Sequence, residues 1–484
     1  MAALAWHAGC LFRGVAHTTK TINPATEETL EEFELDSPRR VEAALDAADQ
    51  AFQQWRRTPI ARRVELLRSV ARLLHDEGAK HAEHITREMG KPIAQSRAEV
   101  AKCARACDYF AEHGPKLLAD EPVPSDAAES FVCFDPIGPV LAVMPWNFPY
   151  WQVFRAAAPA LLAGNVLLLK HALSVSRCAL EMASLFERAG APRGAFQSLL
   201  IHHDTVSAIM KDERVVAATL TGSERAGAAL AREAGGEIKK TVLELGGSDA
   251  YIVLADADVA LAAKTAVQAR FQNTGQSCIA AKRFFVEEPV AAEFIERFVA
   301  GVRALRTGDP MRDDTDVGPL ARGDLRDDLA RQVQSSVDLG ARVLVGGQRP
   351  RGKGFFYEPT LLGDVPRGAP ALTEEVFGPA APISIVRDAD EAILHANESR
   401  FGLSNNLWTR DLARARNLAR QLDSGGVFIN GMTASDPRLP FGGVKKSGYG
   451  RELAAFGLRE FVNVKTVWMG PARRAGQGSH PNVE

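Results

Sequence analysis

A chain of 484 residues is longer than one hydrophobic core can serve, so it is expected to divide into about three domains. Its 46% hydrophobic and 24% charged content is that of an ordinary soluble globular protein. A formal net charge of -2 offers no electrostatic footprint for nucleic acid or an anionic membrane, and neither is expected as a partner.

The N-terminus has no basic segment ahead of its short apolar run, so no signal peptide is expected. Ile22–Glu27 reads as a turn beside an edge strand, and Ser37-Pro38 as a helix start, a capping hydroxyl before a first-turn proline. Helical periodicity follows over Val41–Trp55, Ala61–Leu74 and Pro92–His113. Pro115–Pro124 reads as loop or extended chain, and Ser130–Asp135 alternates as a strand.

From Pro139 short aliphatic runs alternate with helical segments: Val140–Met144, Val166–Leu169, Gln197–Ile201, Val215–Leu220 and Lys240–Leu243. That alternation predicts an α/β fold with a doubly wound parallel sheet and a ligand crevice at the strands' carboxyl ends. A second α/β pattern begins after Gly246-Gly247, with strands at Ala250–Leu254, Phe284–Val286, Ile383–Val386, Asn405–Trp408 and Val427–Ile429. The longest apolar stretch, Ala156–Leu169, is broken by Pro159, Gly164 and Asn165 and is too short to span a bilayer. The tail 471–484 is rich in Gly, Pro and Arg and is expected to be disordered. Six scattered cysteines with no Cys-x-x-Cys pair suit a reducing compartment, so the expected location is cytoplasmic.

Chemistry concentrates in a few stretches. Phe271–Ala281 carries Cys278 after a run of small and amide-bearing residues. A polar, amide-lined turn favours the nucleophilic thiolate, although packing is the usual fate of a lone cysteine. Glu244 ends an aliphatic strand just before Gly246-Gly247, where burial would raise its pKa into the range of a general base; pairing with Lys239 is the plainer alternative. Asn147, in Pro145–Pro149, follows a buried strand and offers an amide NH to an oxyanion. Lys170 ends a strand within reach of a ribose or phosphate, and Thr221–Gly227 turns from strand into helix through Gly222 and Ser223.

These stretches, in this order, resemble the aldehyde dehydrogenase superfamily: PWNFP at Pro145, the strand-ending Lys170, TGSxxxG at Thr221, ELGG at Glu244, GQSC ending at Cys278, EEVFGP at Glu374 and PFGGVKKSG at Pro440. The resemblance covers Ile22 to Trp468. It implies that Cys278 attacks an aldehyde, that Asn147 and the Cys278 amide hold the oxyanion, and that Glu244 activates the water that releases the acid. Trp146, Lys170, Gly222 and Ser223 would contact the dinucleotide, Glu375 the nicotinamide ribose and Phe377 the nicotinamide. The implied division is a dinucleotide-binding domain over 1–114 and 138–246, a catalytic domain over 247–446, and a small β oligomerisation arm from 115–137 and 457–470. A homodimer or homotetramer is implied with it.

NAD-preferring relatives often carry a Glu three residues after that lysine; here Leu173 stands there, which points to NADP, with NAD as the alternative. The sequence looks most like bacterial succinate-semialdehyde dehydrogenases. That places Arg155 at the substrate carboxylate, with Ser435 and Arg438 as supporting contacts, since the second arginine of some members is Gln272 here. No metal is expected. Ala280 stands where some semialdehyde dehydrogenases have a second cysteine, so a redox disulfide with Cys278 is not expected. A CoA-acylating relative would generally lack Glu244, and a catalytically silent homologue would have no use for Cys278, Glu244 and Asn147 together.

Overall fold

The computed structural model describes residues 17–470; the expected disordered tail lies outside them. Two large sheets and one small one organise the chain. The first contains Lys240–Glu244, Ala217–Thr221, Pro139–Met144, Val166–His171 and Phe196–Ser198 side by side in that order, all parallel. Its strands read as unbroken aliphatic runs because both faces are covered: Leu167, Leu168 and Leu169 are all fully buried. The order reverses beside Pro139–Met144, so the chain turns at that strand's carboxyl end and at that of Ala217–Thr221 open onto a shared crevice. Gly448–Tyr449 returns from the far end of the chain and pairs antiparallel with Lys240–Glu244.

Helices Pro38–Trp55, Ile60–Asp76, Ile93–Leu117 and Trp151–Ala163 share one hydrophobic core with this sheet. Ser37 caps the first, its Oγ accepting from Arg40 N at 3.3 Å. Trp151–Ala163 is buried on every side, which explains its lack of amphipathic alternation. Two sequence expectations need correction. Helix Gly78–Met89 was not anticipated, because its sequence offers few strongly apolar positions to set a period. The fourth helix continues through Pro115 to Leu117, where extended chain was expected. Proline disrupts a helix interior, but here it falls in the last turn, and Gly114 packs against Leu162 and Leu458.

The second sheet runs Arg342–Val345, Thr360–Gly363, Ala380–Val386, Ala281–Glu287, Asp249–Val253, Ser404–Trp408, Gly426–Ile429. Only Arg342–Val345 is antiparallel to its neighbour. Separate apolar clusters cover its two faces, one with helices Val259–Phe271 and Glu288–Arg303, the other with Ala389–Asn397 and Leu412–Ala419. The amino ends of Asp249–Val253 and Ala281–Glu287 lie beside the carboxyl end of the first sheet, bringing Gly247 and Cys278 together.

In the small sheet, Val462–Met469 pairs antiparallel with Glu129–Pro136, and Glu121–Pro122 adds a short third strand. Val464, Trp468 and Met469 are exposed on it. Among the described residues no helix is long and apolar enough to cross a membrane.

Candidate active site

Cys278 follows a short 3₁₀ turn, Gln272–Gly275, in which Asn273 and Thr274 have left-handed backbones at φ 55° and 56°. That conformation is strained for a β-branched threonine and persists only where surroundings enforce it. Asn273 Nδ2 donates to Asn147 O (2.8 Å) and Gln276 O (2.9 Å), and Asn273 N donates to Gln95 Oε1 (2.7 Å). Thr274 Oγ1 accepts from Gly318 N at 3.1 Å, and Gln276 Oε1 from Ala321 N at 2.9 Å. Gly275 sits against the carbonyl of Gly378, leaving no room for a Cβ. Beneath the turn Lys282 Nζ donates to Ser277 O (2.8 Å) and Cys278 O (2.7 Å).

The polar run therefore acts differently from its sequence reading. Its side chains hold the backbone around the cysteine, while burial pushes the Cys278 thiol up to about 12, against the downward pull of Lys282 and Arg155. The resting sulfur is a protonated thiol at the wall of a cavity. A carboxylate nearby is needed to take its proton.

Glu244 is 2% exposed, and neither of its oxygens has a hydrogen-bond partner among the described residues. Lys239, its candidate partner, instead donates to Met210 O and Asp212 O, both at 2.6 Å. Burial and the neighbouring Glu452 raise the Glu244 pKa well above the usual carboxylate range, with Arg155 and Arg451 pulling the other way. A Cβ on Gly442 would stand 2.8 Å from Glu244 Oε1, so glycine there leaves the carboxyl its space. Asn147 is buried and donates one Nδ2 hydrogen to Gln276 O at 3.1 Å, leaving the second for another acceptor.

Of the dinucleotide candidates, Trp146, Lys170, Gly222 and Ser223 stand at or just beyond the carboxyl ends of first-sheet strands. Trp146 and Phe377 meet edge to face with centroids 5.8 Å apart. Glu375 Oε1 accepts from Gly247 N at 3.0 Å and lies 3.3 Å from Lys282 Nζ, and a Cβ on Gly246 would displace its carboxylate. Gly222 N donates to Glu244 O at 2.9 Å, and Ser223 caps helix Glu224–Gly236 by accepting from Ala226 N at 3.3 Å. Lys170 has no ion-pair partner among the described residues, and burial alone lowers its pKa. Leu173 is half-buried in the turn Leu173–Val175 that follows.

The substrate candidates separate. Arg155, Ser435 and Cys278 line one cavity of about 200 Å³, together with Lys102, Trp151 and Phe441. It adjoins a trough of about 710 Å³ between helices Ile93–Leu117 and Val259–Phe271, and both share Lys102, Phe148, Trp151, Gln268 and Gln272. Arg438 is not among the lining residues of either. It is exposed and pairs with Asp436 at 2.6 Å, two residues back in the same loop. Arg155 is 2% exposed, its Nε 2.7 Å from Glu452 Oε2 and its guanidinium over Phe441 at 4.6 Å. The anchor expected at Arg155 thus already faces a protein carboxylate.

Breaking that pair leaves Glu452 uncompensated beside Glu244. Arg155→Met is expected to destabilise the fold by roughly 3–5 kcal/mol. Urea unfolding checks it, with Arg155→Met/Glu452→Gln recovering part of the loss; a midpoint equal to wild type sinks the pairing. Sequence reading missed Glu452, Lys102 and Lys282. Each is an ordinary charged residue on its own stretch, and only the packing of distant segments marks it.

The family model described as aldehyde dehydrogenase family matches residues 13–467. The chain belongs to the aldehyde dehydrogenase family. Among curated relatives it is 52% identical over 449 residues to a probable succinate-semialdehyde dehydrogenase [NADP(+)] of Synechocystis, covering 93% of this chain and 99% of that one. It is 51% identical over 448 residues to the Escherichia coli succinate semialdehyde dehydrogenase [NAD(P)+], covering 93% and 97%. Among solved structures, the succinic semialdehyde dehydrogenase of Streptococcus pyogenes in complex with NADP+ superposes with a TM-score of 0.92 at 37% identity, covering 93% of this chain and 100% of that one. The α/β architecture expected from the sequence is the family's.

Proposed function

We propose that this aldehyde dehydrogenase oxidises succinic semialdehyde to succinate with NADP as the preferred cofactor. The observation that carries the chemistry is a half-buried thiol at a cavity wall, near a free amide hydrogen and a carboxyl with no partner among the described residues. The substrate reading draws on the two relatives above, both named for this semialdehyde.

Cys278 Sγ adds to the aldehyde carbon as its proton passes through water to the Glu244 carboxylate, which returns it to solvent, and the second Nδ2 hydrogen of Asn147 and the Cys278 amide meet the oxyanion. A bound NADP would supply the hydride acceptor that this adduct needs to become a thioester on Cys278. Glu244 then takes a proton from a water as its oxygen attacks the thioester carbon, so the acid departs and the thiol is restored. Trp146 and Phe377, which meet edge to face, would contact the nicotinamide, and Glu375 its ribose. Gly222 and Ser223 open the helix terminus suited to the pyrophosphate.

Lys170 is a desolvated cation with no acid near it, the environment that a 2′-phosphate would complete, and Leu173 brings no carboxylate to repel one. The expected result is a higher kcat/KM with NADP than with NAD. Leu173→Glu places a like charge beside the phosphate, worth roughly 1–4 kcal/mol, and should cut the NADP preference about fivefold or more. A higher kcat/KM with NAD in the wild type would overturn the cofactor reading.

The domain division inferred from the sequence enters here as part of the same proposal, with 1–114 and 138–246 holding the dinucleotide and 247–446 the nucleophile. Strands Glu129–Pro136 and Val462–Met469 form the subunit contact of a homodimer or homotetramer, their exposed Val464 and Trp468 covered by a second copy. A cytoplasmic location fits the reduced, unpaired cysteines.

A further inference from the structure

Lys102 lies on helix Ile93–Leu117, at the point where the cavity holding Cys278 meets the outer trough. Its Nζ donates to Ser435 Oγ at 2.8 Å and stands 4.2 Å from the Trp151 ring centroid. No carboxylate lies within ion-pair distance of it among the described residues. The acid nearest along its own helix, Glu99, is held by Lys91 and by the Tyr150 and Trp151 amides at 2.9 and 3.0 Å. After burial, Arg155 and Arg105 favour loss of its proton, Cys103 and Glu99 oppose it, and Asp436, itself paired with Arg438, stands within range of its charge.

Ser435 carries the complementary observation. Its Oγ accepts from Lys102 and from Trp151 Nε1 (2.9 Å), so both lone pairs are filled, and its own hydrogen has no acceptor among the described residues. An enclosed ammonium with spare hydrogens beside a hydroxyl with a spare hydrogen is a receptor for an anion. The apolar Trp151 and Phe148 alongside suit a short methylene chain between that anion and Cys278.

We infer that Lys102, with Ser435, binds the distal carboxylate of the semialdehyde while Cys278 takes its aldehyde end. This rests on the semialdehyde reading above and deepens it: Lys102 is a specificity-determining residue in the cavity that Arg155 also lines. Burial draws the ammonium down to about 8, so without an anion it loses its proton at mildly alkaline pH, and a bound carboxylate restores it.

The test compares succinic semialdehyde with butanal, its uncharged analogue of equal length, and measures succinate as a competitive inhibitor of butanal oxidation. Wild type is expected to prefer the semialdehyde, with kcat/KM for it falling above pH about 8 and no such fall with butanal. Lys102→Met should raise KM for the semialdehyde and weaken succinate inhibition by about 10- to 100-fold, a charge-assisted hydrogen bond's worth. The change with butanal should be at least tenfold smaller, and Lys102→Arg should recover part of the affinity.

Wild type with no preference for the semialdehyde would overturn the substrate reading. Succinate inhibition unchanged in Lys102→Met would overturn the Lys102 assignment, whichever substrate wins.

Discussion

Cys278→Ala is expected to lose turnover with every aldehyde, by a factor on the order of 10⁴ or more. Elimination among the thiols singles out Cys278 as much as its position does. Cys103, Cys107 and Cys178 are fully buried, and burial raises all three pKa values, so none meets substrate or ionises readily. Cys133 lies on the small sheet, in strand Glu129–Pro136. Cys278 lines the cavity that also holds Arg155 and Ser435. The raised thiol pKa adds a second expectation: alkylation by iodoacetamide at neutral pH is slow and accelerates as pH rises. Mass mapping should find the label on Cys278 rising in step with the loss of turnover. Turnover of the alanine variant within tenfold of wild type would end the nucleophile assignment.

The sequence revealed chemistry where residue type and local setting coincided. Glu244 at the end of an aliphatic strand, before two glycines, is improbable as packing, and it does lie buried without a partner. The glycines themselves are explained by close approach: Gly247 faces the carbonyl of Cys278 and Gly246 the Glu375 carboxylate. The alternation of aliphatic runs and helices was enough for both parallel sheets. Arg155 shows why the rest was hidden. Its spacing from Pro149 is a fact of the chain, but its partner Glu452 arrives from nearly three hundred residues away, and only folding reveals that its charge is already answered. Lys102 is the reverse case, a helix lysine with nothing in its neighbourhood to distinguish it until Ser435 and Trp151 close over it. The two left-handed residues Asn273 and Thr274 were invisible for a similar reason, since Gln95, Asn147 and Gly318 impose that backbone from outside the turn.

Glu244→Gln should separate the two halves of the reaction. Glutamine keeps the size of the side chain but accepts no proton, so hydride transfer proceeds once per site while release of the acid stalls. The expected trace is a burst of reduced cofactor equal to the enzyme concentration, followed by a steady rate lower by about 10²–10⁴. An acyl adduct on Cys278 should then persist long enough for intact-mass detection. Stability moves the opposite way, and its sign follows from the raised pKa. Between the unfolded carboxyl pKa and the higher folded one, the native state holds a proton that the unfolded chain has lost. Wild-type stability therefore falls as pH rises through that window. Glutamine has no such proton to lose, so the variant should unfold at a higher temperature than wild type at pH 8, with the gap closing toward pH 4.5. A variant less active, less stable and without a burst would point to a structural role for Glu244, and the water-activating assignment would fall.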